Sequence, residues 1–446
     1  MASWKERVRK AVVRIATTTT TTRRDEEEED VTRIIGGGLP LLERSLLPIL
    51  TLASAVHTCG IFIRRLLYQF HVLHQTRLPI PVMSVGNMTW GGTGKTPMVE
   101  YLAHHFLSAG LCPLILTRGY GGGDEVRLLQ KHLQGTPAKF GVGPNRALLA
   151  LSILHQQAVQ NGSTFGADWS KQNKSKEAGE DVEIVILDDG MQHLSMARDI
   201  DIVMVNVVSG LGNGRIVPRG PLREPLQGFK RAQVVVLHHA DLVTEQRLMS
   251  LRGMLDHVLG SGTIVIGSRM RLHNFYKVDG NSNLKISLEA MRDAVVLCVS
   301  GIGCPESLAL ILQQEGALHV ERLDFSDHHW FDAEDLQEIR TRLWQLHRRF
   351  KEHNVLLVMT EKDYMRDSAT MAQLSDVGAL VLQSSLEIIS GYGDEYAFDE
   401  LLVSVAAKHV SVVTKTHGPV HICSDWKAII LQFISKCFRR VQIQVS

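Results

Sequence analysis

Thr89-Trp90-Gly91-Gly92-Thr93-Gly94-Lys95-Thr96 sets small residues, a lysine and a hydroxyl in the order a phosphate cradle needs. Glycines leave backbone N–H groups free to wrap phosphate oxygens, and a helix opening there adds a favourable partial charge. Lys95 would reach the β- and γ-phosphates, and the Thr96 hydroxyl would bind Mg²⁺. The one departure from G-x-x-x-x-G-K-[ST] is Thr89, at the position of the first glycine. A second constellation, Asp188-Asp189, ends the apolar run Val182 to Leu187. Such a run delivers a carboxylate to the top edge of a sheet, so Asp188 is the candidate to complete the Mg²⁺ site beside Thr96. Asp189 is not needed for one metal contact. A second water or metal, or orientation of an acceptor, is open to it. The prediction is a nucleoside triphosphate site.

Arginine-bearing loops supply candidates for holding an anionic acceptor. Gly212 to Pro225 carries Arg215, Arg219 and Arg223 among glycines and prolines, with Glu224 beside them. Arg118 and Tyr120 lie in the Gly-rich run that follows an apolar strand, and Arg146 follows Gly143-Pro144-Asn145. Loops at the carboxyl ends of strands are where ligands approach α/β sheets. The adjacent His238 and His239 lack the i, i+4 spacing of helical metal ligands and read as structural.

The elements that must position these residues alternate. Strands are expected at Ile80 to Val85, Leu114 to Thr117, Lys139 to Val142, Val182 to Leu187, Ile200 to Val205 and Val234 to Leu237, with amphipathic helices between them. That is the pattern of an α/β fold, a P-loop NTPase-like, mostly parallel sheet with helices on both faces. Asn161 to Asp181 reads as a polar surface insertion, and Ser268 to Lys277 as an extended connector. A second, smaller α/β pattern starts at Ala294 and is closed by a helix over Leu401 to Lys408. The expected organisation is residues 1–39 leader and linker, 40–79 membrane-associated helical segment, 80–267 P-loop domain, 268–293 hinge, 294–408 smaller domain and 409–446 atypical tail.

Composition limits the rest. The chain has 446 residues and balanced charge, +1 overall, so no global field argues for nucleic acid. Six cysteines without a C-x-x-C pair argue against structural zinc or a disulfide framework. The first 24 residues are basic, hydroxyl-rich and nearly free of acids, the composition of an organelle transit peptide or of a disordered basic arm. Ser45 to Ile63 is uncharged for nineteen residues and is followed by Arg64, Arg65, Tyr68 and Phe70. A helical hairpin or single helix lying in a membrane interface fits better than a span, with a helix packed in the core as the rival.

With these motifs in place, the chain resembles the tetraacyldisaccharide 4'-kinases of lipid A biosynthesis, the plant members above all. The resemblance is carried by Ser84 to Pro97, Thr117-Arg118-Gly119-Tyr120, Gly123-Asp124-Glu125, Asp188 to His193, Gly212 to Arg215, Gly220 to Pro225, Gly301-Ile302-Gly303, Asp327-His328-His329 and Thr360 to Asp363. These occur in the family's order, and the family tolerates a residue other than glycine at position 89. The resemblance implies ATP and Mg²⁺ as cofactors and a lipid A disaccharide 1-phosphate precursor as acceptor. It further implies a two-stranded hinge, attachment to a membrane surface and mitochondrial location; no obligate protein partner is evident from the sequence. Asp124 carries over as the catalytic acid and His328 as the histidine holding it, beside Lys95 and Asp189. The rival classes are a GTPase or metal-chaperone ATPase and a scaffold with a decayed P-loop. Lys362 and Asp363 are adjacent, which breaks the guanine-reading spacing, and Lys95, Asp188 and Asp124 are intact.

Overall fold

The computed structural model describes residues 11–13, 15, 41–119, 123–160, 181–278 and 285–415. Most of the leader, the insertion at 161–180, the tail after 415 and Tyr120 lie outside these residues.

The apolar runs become strands of one sheet: β1 Val82–Asn87, β2 Cys112–Thr117, β3 Lys139–Val142, β4 Val182–Asp188, β5 Ile200–Asn206, β6 Val234–His238, β7 Ile264–Lys277, β8 Lys285–Ile286, β9 Val295–Ser300, β10 His319–Asp324, β11 Val355–Thr360 and β12 Leu380–Ile389. Their order is β10-β9-β11-β12-β7-β6-β5-β1-β4-β2-β3, with β8 beside β7. β7 pairs antiparallel with β12 and β8, and the other pairings are parallel. β1 and β5 are buried at every residue, which is why they are mostly apolar on both faces instead of alternating, with Ser84 and Asp201 buried among the apolar side chains.

Helices cover both faces. α1 is Leu41–Gln69, α2 Lys95–Ser108, α3 Asp124–His132, α4 Arg146–Gln160, α5 Glu245–Asp256, α6 Pro305–Gln314, α7 Ala333–Arg349, α8 Glu361–Arg366, α9 Ser368–Met371 and α10 Glu395–Lys415. Met98, Leu102 and Phe106 of α2 pack on Ile184 and Ile186 of β4. Val185 and Leu187, pointing the other way, meet Ala147, Ala150 and Leu154 of α4. Phe106 is fully buried, and truncating it to alanine would cost about 3–5 kcal/mol. In the other half, α7 sets Leu336, Ile339, Leu343 and Leu346 against β9 and β11. Its first turn is closed by a capping box between Asp332 and Asp335.

Ser268 to Lys277, expected as an extended connector, is most of β7, whose start pairs with β6 and whose remainder pairs with β12. Its polar residues (Arg269, Arg271 and His273 are exposed) alternate with buried Leu272 and Phe275, as in an antiparallel strand with one wet face. The last helix begins earlier than expected, and its Phe398, Leu402 and Val405 join the core of the first half instead of the second.

α1 is a single helix, and its stretch Ser45–Gln69 is long and apolar enough to cross a membrane by length and composition. Only 11% of its most apolar window is buried, which removes the core-helix reading. Ile49, Leu52, Val56, Phe62 and Ile63 are exposed.

Candidate active site

Strand order builds the site. β1 lies between β4 and β5, and Val85 of β1 is in register with Asp188, so the phosphate loop and the acidic turn emerge side by side. Gly94 caps α2 in the left-handed region (φ 80°), and a Cβ there would stand 2.5 Å from the His238 ring. Asn87 Nδ2 donates to Thr93 Oγ1 at 2.9 Å, and Asn206 Nδ2 donates to the Gly92 carbonyl at 2.8 Å. Thr89 forms an antiparallel bridge with Leu222, an extended position that suits a β-branched residue and leaves no need for glycine. Around that bridge, Trp90 N–H donates to Pro221 O at 2.9 Å and Arg223 N–H to Met88 O at 2.7 Å.

Asp188 is buried, and its Oδ1 has no hydrogen-bond partner among the described residues. Burial, reinforced by the charges of Glu125 and Asp189, pushes its carboxyl up to about 7 against the pull of Lys95 and Arg146. A cation beside this oxygen would reverse that cost, so the residues fit a divalent ion next to Thr96. Among the described residues no three His, Cys, Asp or Glu side chains form a metal cluster. The ion would therefore be shared with a ligand's phosphates. Asp189, at φ 50°, takes Arg223 Nη1 at 2.5 Å and Lys95 Nζ at 3.8 Å. Burial raises its carboxyl, but Lys95 and Arg223 outweigh this and hold it low.

A second charged group comes from both halves. His328 Nδ1 lies 3.0 Å from Asp124 Oδ2, although 204 residues separate them. The same oxygen accepts from Arg366 Nη2 at 3.0 Å and Nε at 3.1 Å, while Oδ1 accepts from the Glu125 N–H at 2.9 Å. Asp124 and Arg366 are fully buried. Burial raises the Asp124 carboxyl, but His328, Lys362 and Arg366 together hold it below the usual range. His328 sits at φ 60°, a left-handed conformation costing about 1–3 kcal/mol outside glycine and typical of functional sites. The hydrogen bond to Asp124 raises its pKa, against burial and Lys362. Behind the pair, the Gly301–Gly303 turn presses on the phosphate loop. A Cβ on Gly303 would meet the Gly92 nitrogen at 2.0 Å.

Residues 46–406 match the family model described as tetraacyldisaccharide-1-P 4'-kinase. The chain belongs to this family. It is 44% identical to the probable mitochondrial tetraacyldisaccharide 4'-kinase of Arabidopsis thaliana, over 78% of this chain and 88% of that one. It is 30% identical to the tetraacyldisaccharide 4'-kinase of Anaeromyxobacter sp. (strain Fw109-5), over 78% and 90% of the two. Its fold is similar to the crystal structure of "apo" form LpxK from Aquifex aeolicus in complex with ATP, at TM-score 0.51 and 21% identity. That likeness covers 82% of this chain and 99% of that one.

In this tetraacyldisaccharide 4'-kinase family member the sequence candidates divide. Lys95, Asp188, Asp189 and Arg223 converge at the phosphate loop, and Asp124 meets His328. Arg118 and Arg215 are exposed at loop positions, and Tyr120 is outside the described residues. Arg146 is buried and donates to the carbonyls of Asp188 and Asp189 at 2.6 and 3.1 Å, so it props up the acidic turn. Glu224, also buried, is held by Arg65, by Arg231 at 2.9 Å and by Gln192 at 3.0 Å. Those bonds fill it, so it braces the loop instead of facing a substrate. Arg366 was missed by sequence reasoning. Its only local signal was the Asp363–Arg366 spacing of i, i+3, which the structure turns into a buried 3.0 Å ion pair.

Proposed function

We propose that this chain transfers the γ-phosphoryl group of ATP to the 4'-hydroxyl of a tetraacylated glucosamine disaccharide 1-phosphate. The product is the 4'-phosphorylated lipid A precursor, lipid IVA. The observation that carries the reading is the meeting of Asp124 and His328 across the two halves beside an intact phosphate loop. Residues Thr89 to Thr96 cradle the phosphates, Lys95 neutralises them, and Thr96 with Asp188 would hold Mg²⁺. That ion supplies charge neutralisation at the phosphate oxygens when bound.

A sugar hydroxyl ionises far above neutral pH, so its proton must leave to a positioned base. Both oxygens of Asp124 are already engaged by His328, Arg366 and the Glu125 N–H. The geometry therefore favours a division of labour opposite to the sequence expectation. Asp124 orients the imidazole, and His328 Nε2 takes the 4'-hydroxyl proton. Arg223 and Lys95 both face Asp189, at 2.5 and 3.8 Å, on the phosphate-loop side. We take the β7–β12 ladder as the hinge on which the smaller half closes, shutting out water that would compete for the phosphoryl group.

α1 serves in this reading as an interfacial anchor at a membrane, on the matrix side of the mitochondrion. Support comes from its exposed apolar face, the flanking Arg64 and Arg65, the basic leader and the mitochondrial relative. Release by carbonate separates an interfacial helix from a span, and a wholly soluble cytosolic protein in cells contradicts both.

The deciding experiment incubates purified protein with γ-labelled ATP, Mg²⁺ and detergent-dispersed tetraacyldisaccharide 1-phosphate. Label is expected in a lipid 4'-monophosphate ester. ATP hydrolysis with no label in lipid would favour the switch-ATPase reading and end this one.

A further inference from the structure

The exposed helix α1 is joined to the phosphate loop through a single intervening segment. Ser54 Oγ donates to the Ile216 carbonyl at 2.8 Å and accepts the Arg219 N–H at 3.1 Å. Eleven residues further along the same helix, Arg65 pairs with the buried carboxylate of Glu224. Just before Glu224, Arg223 turns the other way, placing its guanidinium 2.5 Å from Asp189 and its N–H 2.7 Å from the Met88 carbonyl. The Trp90 N–H to Pro221 bond closes the bridge on the far side. The segment Ile216 to Glu224 is thus held by α1 at both ends and by the phosphate loop between them.

We propose that Ser54 and Arg65 are positioning residues for phosphoryl transfer. They hold Ile216 to Glu224 so that Arg223 meets Asp189 and the backbone of Met88 to Trp90 keeps its shape around the phosphates. This rests on the kinase reading above. The helix whose apolar face is open to a lipid surface is by this route also a wall of the chemistry. Arg231 and Gln192 remain on Glu224 when Arg65 is removed, so the carboxylate stays neutralised and the chain folds. What is lost is alignment, and a displacement of about 1 Å remote from the reacting atoms can cost as much as 10²-fold in rate.

The test compares the full-length wild type with Arg65→Met, Arg65→Lys and Ser54→Ala on detergent-dispersed tetraacyldisaccharide 1-phosphate. We expect kcat to fall about 10-fold in Arg65→Met and about threefold in Ser54→Ala, with acceptor KM and detergent-phase partition unchanged. Arg65→Lys should recover most of the loss, because the ammonium can still reach Glu224. An unchanged kcat, or a raised acceptor KM alone, overturns the proposal and leaves α1 a docking element only. If Arg65→Met does not fold, Ser54→Ala decides by itself. Absence of transfer in the wild type counts against the kinase reading instead. The ATP affinity of the same variants then decides, weaker binding supporting the tether and equal binding overturning it.

Discussion

Replacing Asp124 by Asn separates the two ways of moving the proton. In the wild type, Asp124 Oδ2 receives three donors within 3.1 Å, from His328 Nδ1 and from Arg366 Nε and Nη2. An amide of the same shape either turns N–H groups toward those donors or offers a neutral oxygen where an anion stood. The imidazole then loses both its orientation and its stabilised charged form. General-base catalysis contributes about 10²- to 10⁴-fold, so kcat should fall within that range, or about 3–5.5 kcal/mol in the barrier. The pH profile adds a sign. The hydrogen bond to Asp124 leads in raising His328 above 6.5, with burial and Lys362 opposing. A base must be neutral, so wild-type kcat should rise with pH through this raised value. In Asp124→Asn the leading upward cause is gone, and the residual activity should show its acid limb at lower pH. The assay is labelled-phosphate transfer at saturating ATP and acceptor from pH 5.5 to 9. If Asp124 were itself the base, its lowered pKa would leave no acid limb in this range. A flat wild-type profile, or a limb that Asp124→Asn leaves in place, refutes His328 as the proton acceptor.

Three further outcomes are expected. Lys95→Ala should lose about 10²-fold or more in kcat with an unchanged melting curve, since Lys95 is partly exposed and makes only a long 3.8 Å contact to Asp189; near-normal turnover would remove the phosphate-loop assignment. Gly303→Ala drives a methyl group to 2.0 Å from the Gly92 nitrogen, so ATP affinity should weaken and stability fall by about 1–3 kcal/mol in denaturant titration, and full retention of both would show that the two loops do not press together. His132 is penalised by burial, yet Glu100 at 2.8 Å and Glu361 at 3.1 Å raise its pKa to about 10. Its stabilising contribution should be complete below about pH 6.5 and disappear as pH rises toward 10. Urea midpoints across that range should decline more steeply in the wild type than in His132→Gln, and parallel curves would mean the histidine is not charged in the fold.

Much of the frame was legible because its signals are local. Val182 to Leu187 is apolar at five of six positions because both faces of β4 are covered, and that same run announces where Asp188 stands. Gly94, Lys95 and Thr96 name their own chemistry. β7 was harder to read, because its wet face borrows the composition of a linker. Arg366 was unreadable for another reason. Its principal partner, Asp124, lies 242 residues away, and the one local signal, Asp363 three residues before it, does not point to Asp124. Glu224 misled through its neighbours, since a carboxylate in an arginine-rich loop looks like a ligand contact until Arg65, Arg231 and Gln192 are seen to surround it. The identity of the pair Asp124–His328 came from motif order. Which member faces the acceptor depends on how many donors each already holds, and only coordinates count those.

The shared strand and the returning helix bear on how the chain is made. β7 covers its outer edge with β12, more than a hundred residues later, and the core around Met83 and Phe106 needs Phe398, Leu402 and Val405 of α10. The nucleotide-binding half is therefore first in the sequence and last to be finished. While the ribosome still holds the second half, the edge of β7 and the apolar seat of α10 stand open. Such edges invite pairing with other chains, and long-range closure is slow. A truncated protein ending before residue 380 would carry both defects permanently. The order of emergence thus leaves these surfaces uncovered through most of synthesis, and the phosphate-loop half expressed as an isolated piece would lack its last strand partner and its closing helix.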